Sequence, residues 1–189
     1  MEKLKPCLKI ALSAVAICIC VAAPAGWIAV AETPSAGQGP SPEVQKLGYF
    51  VGKWSGAVEV KATQLGPAAK FIEAADSDWM PGGSFIVMNW TETFPTGTGT
   101  TLMVLGYDST EKLYTFNTFQ NTGEAASAKG TVDGDTWTFK GTSKLDGKPV
   151  QSRFSMKELS PSLCATKLEY SADGANWTTV MEGRITKAK

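Results

Sequence analysis

The sequence predicts an all-β fold: a single antiparallel up-and-down barrel of about ten strands, preceded by one short helix. Three observations point there. Beyond residue 52 the chain breaks into runs of strand-forming residues with turn signals every 8 to 15 residues. Several runs alternate apolar and polar positions, as a sheet with one buried face requires. Only one segment, just before the first run, has helical spacing. Closure is favoured because a closed sheet leaves no exposed edge. A two-sheet β-sandwich is the alternative.

The helix comes first. Ser41-Pro42-Glu43 supplies a hydroxyl cap, proline at the first helical position and an acid in the first turn. Val44, Leu47, and then Phe50 or Val51 follow at helical spacing, and Gly48 and Gly52 limit the helix to two or three turns. The strand runs are Trp54–Ala62, Phe71–Trp79, Ser84–Thr93, Thr101–Tyr107, Leu113–Phe119, Ala125–Val132, Trp137–Ser143, Pro149–Leu159, Cys164–Ser171 and Trp177–Thr186. Turn residues separate them, among them Leu65-Gly66-Pro67, Pro81-Gly82-Gly83, Pro95-Thr96-Gly97 and Asp146-Gly147. Alternation is clearest where Val150, Ser152, Phe154 and Met156 interleave with Gln151, Arg153, Ser155 and Lys157, and where Ile86, Met88 and Trp90 interleave with Val87, Asn89 and Thr91.

Two stretches echo each other: TVDGDTWTFKG (131–141) and SADGANWTTV (171–180). Two copies are too few for a propeller, which needs the motif in four or more blades. Asp173-Gly-Ala-Asn176 offers two oxygen ligands at most, short of a calcium loop. Asp-Gly is the preferred pair where turn residues need positive φ, so both stretches are expected to be hairpin turns.

The N-terminus is read apart from the fold. Lys3, Lys5 and Lys9 precede an uncharged run of 22 residues, Ile10 to Ala31, ending in the small-x-small pattern Ala29-Val30-Ala31. Residues 1–31 are expected to be a secretory signal, and residues 32–42, rich in Pro, Gly and Ser, a linker to a domain over 43–189. The protein is therefore expected to be periplasmic or secreted. If the signal stays uncut, membrane association runs through residues 10–31 with the domain still outside.

Without residues 1–31 the chain carries 15 basic and 17 acidic residues, a net of −2. That gives no electrostatic reason to bind nucleic acid. Only Cys164 remains outside the targeting segment. No intramolecular disulfide is expected, and a buried, inert thiol is the plainer role for this residue. Histidine is absent from all 189 residues. This excludes Ser-His-Asp and Cys-His catalysis and histidine-ligated haem, and no cofactor or metal site is expected.

Leu47-Gly48-Tyr49-Phe50-Val51-Gly52-Lys53-Trp54-Ser55-Gly56 places a short helix before Gly-x-Trp at the first strand. This resembles the start of lipocalin-like (calycin) barrels. The resemblance implies that Gly52 and Trp54 close one barrel end and that an arginine of the last strand, here Arg184, packs across the Trp54 ring. The domain as a whole resembles the bacterial domain-of-unknown-function family fifteen-seventy-nine, through Pro42 to Gly56, Trp79-Met80-Pro81-Gly82-Gly83, Leu105-Gly106-Tyr107-Asp108, Gly130 to Trp137, and Trp177 to Gly183. That resemblance implies an exported calycin-like barrel and transfers no catalytic residues.

The function expected is binding of a small apolar or amphipathic molecule inside the barrel. Its candidate lining is Trp79, Met88, Trp90, Tyr114, Phe116, Phe154, Met156 and Tyr170. The same residues could instead form a packed core, as in a structural or interaction protein of the envelope, with Thr98, Thr100 and Thr101 as an exposed polar rim. An enzyme without histidine would need carboxylates, lysine or tyrosine of shifted pKa. Glu73, Asp76 and Asp78 before Trp79, and Glu92 after Trp90, are the acids nearest the aromatic positions. The interior discriminates these readings. A hollow apolar barrel favours binding, a filled one a structural role, and a buried unpaired carboxylate facing a cavity would revive catalysis.

Overall fold

Ser41 caps the first helix as its sequence predicts. Its hydroxyl accepts from the Val44 N–H at 3.4 Å and its carbonyl from the Gln45 N–H at 2.9 Å. In the computed structural model, which describes residues 40–63, 67–145 and 148–189, helix α1 runs Pro42–Lys46 and tightens into a 3-10 turn over Leu47–Phe50. The segments expected to be a signal, 1–31, and a linker, up to residue 39, lie outside the described residues, as do 65–66 and 146–147 of the expected turns.

Ten strands follow: β1 Gly52–Val60, β2 Ala69–Trp79, β3 Phe85–Phe94, β4 Gly97–Asp108, β5 Leu113–Gln120, β6 Ala125–Asp133, β7 Thr136–Leu145, β8 Lys148–Ser160, β9 Leu163–Ser171 and β10 Thr178–Lys187. Each pairs antiparallel with the next. β1 also pairs with β10, from Trp54 opposite Lys187 to Val60 opposite Met181. The sheet is therefore a closed up-and-down barrel and not a sandwich.

Strand limits follow the sequence closely. The largest difference is at β4, which begins at Gly97 because Phe94 pairs with it directly and leaves Pro95-Thr96 as the turn. Thr98 and Thr100 are exposed, as expected of a rim, but Thr101 is buried. Its strand partner is Trp90, so it shares the inward face of that residue.

The echoed turns differ from each other. Asp133 pairs with Thr136, which makes Gly134-Asp135 the two central residues, and Gly134 has φ 57°. Asp135 is not at positive φ, so glycine alone supplies the left-handed position. The second echo joins β9 to β10 through a six-residue loop, 172–177. There the Asp173 carboxylate accepts from the backbone N–H groups of Ala175 and Asn176, both at 2.8 Å, and from the Ser171 hydroxyl at 3.0 Å. These bonds hold its pKa well below the usual carboxylate range. Both stretches connect neighbouring antiparallel strands, but only the first is a tight turn.

The core lies at one end. Odd-numbered strands begin there and even-numbered strands finish there, bringing Trp54, Ile86, Tyr114, Trp137 and Cys164 together with Leu105, Met156 and Ile185. Leu47 and Phe50 of the helical segment are buried against this cluster, the Phe50 and Trp137 rings meeting at 5.0 Å. Burial pushes the Cys164 thiol up to about 12, as an inert core cysteine requires.

Closure needs close approach at Gly56. A Cβ there would lie 1.9 Å from the Arg184 carbonyl oxygen on β10. We expect Gly56→Ala to lower stability by about 1–3 kcal/mol, the usual cost of overpacking. The exposed neighbouring change Ser55→Ala should stay within about 0.5 kcal/mol. Urea unfolding of both variants checks this, and equal midpoints would mean that β1 relaxes freely at this contact.

Candidate functional site: the open half of the barrel

The helical segment 42–50 plugs the packed end of the barrel, and hydrogen bonds from the ends of side chains seat it. Tyr49 Oη shares its one proton between the carbonyls of Leu163 and Ser160, at 3.0 and 3.1 Å, Tyr114 Oη donates to that of Glu43 at 3.1 Å, and Trp54 Nε1 to that of Phe50 at 2.9 Å. Trp54 is buried at this end of the barrel, and the cation over its ring is Lys187 and not Arg184. Lys187 Nζ stands 4.8 Å from the Trp54 ring centre and donates to the Tyr49 carbonyl at 2.7 Å. The reason is register. Arg184 pairs with exposed Ala57 and is itself exposed, whereas Lys187 pairs with inward-facing Trp54. The missed signal was parity, since Lys187 is two residues beyond buried Ile185 and Arg184 only one before it.

Past this cluster the interior is not filled. A cavity of about 210 Å³ occupies the other half, lined by Glu73, Trp90, Glu92, Met103, Phe116 and Phe154 among others. Of the eight candidate lining residues, Trp90, Phe116, Phe154 and Tyr170 border this cavity. Met88, Tyr114 and Met156 belong instead to the packed cluster under the plug, with Trp79 partly buried against it. The rings of Phe139 and Phe154 flank Phe116 at 5.1 and 5.5 Å.

Two carboxylates enter the cavity from adjacent strands. Glu73 on β2 pairs directly with Glu92 on β3, which places both on one face. The parity of β2 explains this: Phe71, Glu73, Ala75 and Ser77 are buried while Ile72, Ala74, Asp76 and Asp78 are exposed. Asp76 and Asp78 therefore face solvent, and Asp76 pairs with Lys53 across β1–β2. Glu73 is 2% exposed and its Oε1 has no hydrogen-bond partner. Burial, together with the charge of Glu92, pushes its pKa up to about 8, against a lowering hydrogen bond from the Trp90 side chain. Glu92 is raised too, by burial. Beyond them the Phe71 and Phe94 rings stack at 4.6 Å.

Near neutral pH such a pair holds a proton. It can donate a hydrogen bond, transfer that proton, or receive a cation. Among the described residues, no three His, Cys, Asp or Glu side chains gather as a metal site. A wider recess of about 500 Å³ at the rim includes Val150, Tyr170, Asp173 and Val180, but the Asp173 carboxylate there is engaged by its own loop.

A family model described as protein of unknown function (DUF1579) matches residues 39–187. No curated protein matches the sequence. Among solved structures, Rv2717c from M. tuberculosis is similar with a TM-score of 0.55 at 11% identity, over 80% of this chain and 100% of its own. The S-type phycobiliprotein lyase CPES from Guillardia theta is similar with a TM-score of 0.52 at 12% identity, over 77% of this chain and 92% of its own. At these identities the likeness is one of fold.

The raised acid has a stability consequence with a definite sign. Unfolded Glu73 ionises near its ordinary 4.5, whereas the folded protein keeps it protonated up to about pH 8. Between these values the folded state binds more protons, so this group lowers stability as pH rises and its effect levels off above 8. Glu73→Gln should therefore be more stable than the wild type at pH 8.5, by an amount on the order of a few kcal/mol. The difference should vanish below about pH 4.5, where both states of Glu73 are protonated. Thermal unfolding of both proteins from pH 4 to 9 measures this, and a difference independent of pH would show that Glu73 does not carry it.

Proposed function

Since the chain belongs to the DUF1579 family over residues 39–187, and that family's description assigns no activity, we propose from the chain's own geometry that it is an exported protein that binds a small amphipathic molecule in the open half of its barrel. The observation that carries this is Glu73: a buried carboxyl with an unpartnered oxygen, facing a cavity walled by aromatic rings. Buried polar atoms are nearly always paired, and an unpaired one costs roughly 1–3 kcal/mol. A barrel filled only for stability would place an apolar side chain there. Retaining the carboxyl is what a binding site does when stability is exchanged for function.

The cavity is larger than the roughly 150 Å³ of an engineered apolar cavity that accepts benzene, and smaller than the roughly 300 Å³ where pockets for drug-sized ligands begin. It suits one ring or a short chain with a polar end. Export rests on the basic, then uncharged, then small-x-small order of residues 1–31. The protonated Glu73 meets the condition set for an acid–base enzyme. Binding is nonetheless preferred because no lysine, cysteine or histidine joins the two carboxylates on the cavity wall. An interaction protein is the alternative, favoured by Leu102 and Phe119, which pair across β4–β5 and are 40% and 51% exposed on the outer wall.

The test is native mass spectrometry of the protein from the exported fraction, followed by denatured extraction. The expected result is a reproducible co-purifying small molecule that is lost in Trp90→Ala and Phe154→Ala. A bare polypeptide mass at several purification stringencies, with no shift against a lipid and metabolite extract, overturns the binding reading.

A further inference from the structure

The unpartnered Glu73 oxygen, the direct pairing of Glu73 with Glu92, and the aromatic wall specify more than a generic amphipathic ligand. Resting on the binding reading above, we infer that the cavity selects a small organic amine, its ammonium held by the Glu73 and Glu92 carboxylates and its apolar part against Trp90, Phe116 and Phe154.

The argument starts from charge. The cavity wall contains two carboxyl groups and no lysine or arginine. The groups facing Glu73 come from every side of it: Glu92 on β3, Gly56 opposite on β1, the Tyr170 phenol across the cavity on β9, and deeper on β9 the Cys164 thiol. None is a cation. Two acids on neighbouring strands of a buried wall repel when ionised, and the hydrogen bond from the Trp90 side chain that favours ionised Glu73 does not offset its burial and the charge of Glu92.

An ammonium ion does. It donates three hydrogen bonds and accepts none, so it satisfies the orphaned Oε1 and a Glu92 oxygen together while cancelling charge. The surrounding rings add cation–π attraction to the same head. An anionic amphiphile such as a fatty acid meets like charge at this wall. A neutral alcohol leaves the pair to keep its own proton. A divalent metal ion lacks further protein ligands, since no group of three such side chains exists among the described residues.

Ammonium binding should also expel the proton that Glu73 carries near neutral pH, so the binding heat should depend on the ionisation enthalpy of the buffer.

The experiment uses three probes with one ring and different heads: 2-phenylethylamine, 2-phenylethanol and phenylacetate. Each is titrated at pH 7.5 into the protein from the exported fraction, by tryptophan fluorescence and calorimetry. The amine is expected to bind about tenfold or more tighter than the alcohol, and phenylacetate not to bind. Glu73→Gln and Glu92→Gln should each bring the amine to the affinity of the alcohol in variants that unfold no earlier than the wild type, while Asp76→Asn, an acid on the outer face of β2, should leave both affinities within about twofold. Equal affinity for amine and alcohol, or an amine affinity unchanged in both variants, overturns the amine inference and leaves small-molecule binding standing. So does a co-purifying molecule without a basic nitrogen, or calcium binding that depends on both glutamates and is not displaced by the amine. If no probe binds and nothing co-purifies, the binding reading and the amine inference fall together.

Discussion

The seam between β1 and β10 is the contact on which the rest of the molecule depends. Seven residue pairs, from Trp54 opposite Lys187 to Val60 opposite Met181, turn a ten-stranded ribbon into a closed wall. Without the seam both edge strands would present unpaired backbone groups, and the helical plug would have no ring of strand ends to seat in. The seam also imposes the tightest steric demand among the described glycines, at Gly56 against the Arg184 carbonyl. Lys187 then links seam and plug, lying over the Trp54 ring and bonding the Tyr49 carbonyl.

Closure fixes how interior space is shared. Inward side chains at one end are large, buried and packed against the helical plug. In the other half the inward positions include Glu73, Thr118, Gln120, Ala126, Ala128 and Ser152, which are small or polar. Such residues cannot fill a ten-stranded lumen. The cavity is thus a consequence of side-chain volume and not of any change in the strands. Stability concentrates at the plugged end, and the cost of an uncompensated acid is carried at the other.

Much of this was legible in the sequence. The strand runs could be read because alternation and turn chemistry are local, and the helix because Ser41-Pro42-Glu43 is a local start signal. What escaped depends on register. Arg184 and Lys187 are three residues apart and face opposite sides of β10, so the strand parity that buried Ile185 signals, and not composition, separates them over Trp54. Parity, on which the eight candidate lining residues rest, identifies the inner face but not the height along the barrel axis. Hence four of them border the cavity and the others are packed beneath the plug. Glu73 and Glu92 stood out only as acids near aromatics. Their direct pairing needed the β2–β3 register, and the solvent-facing positions of Asp76 and Asp78 separated them from the other acids.

The barrel's two chain ends share one address. Helix α1 enters at the plugged end, and β10 finishes there, with the Ala188 N–H bonded to the Lys53 carbonyl at 2.7 Å. Whatever is joined to the barrel after Lys189 therefore attaches on the side opposite the cavity. For handling in the laboratory, an affinity tag or a surface linkage at the C-terminus leaves the cavity mouth facing solution. A short bridge between residues 40 and 189, with new ends opened at an exposed loop such as Thr122-Gly123, is the natural route to a circular permutant.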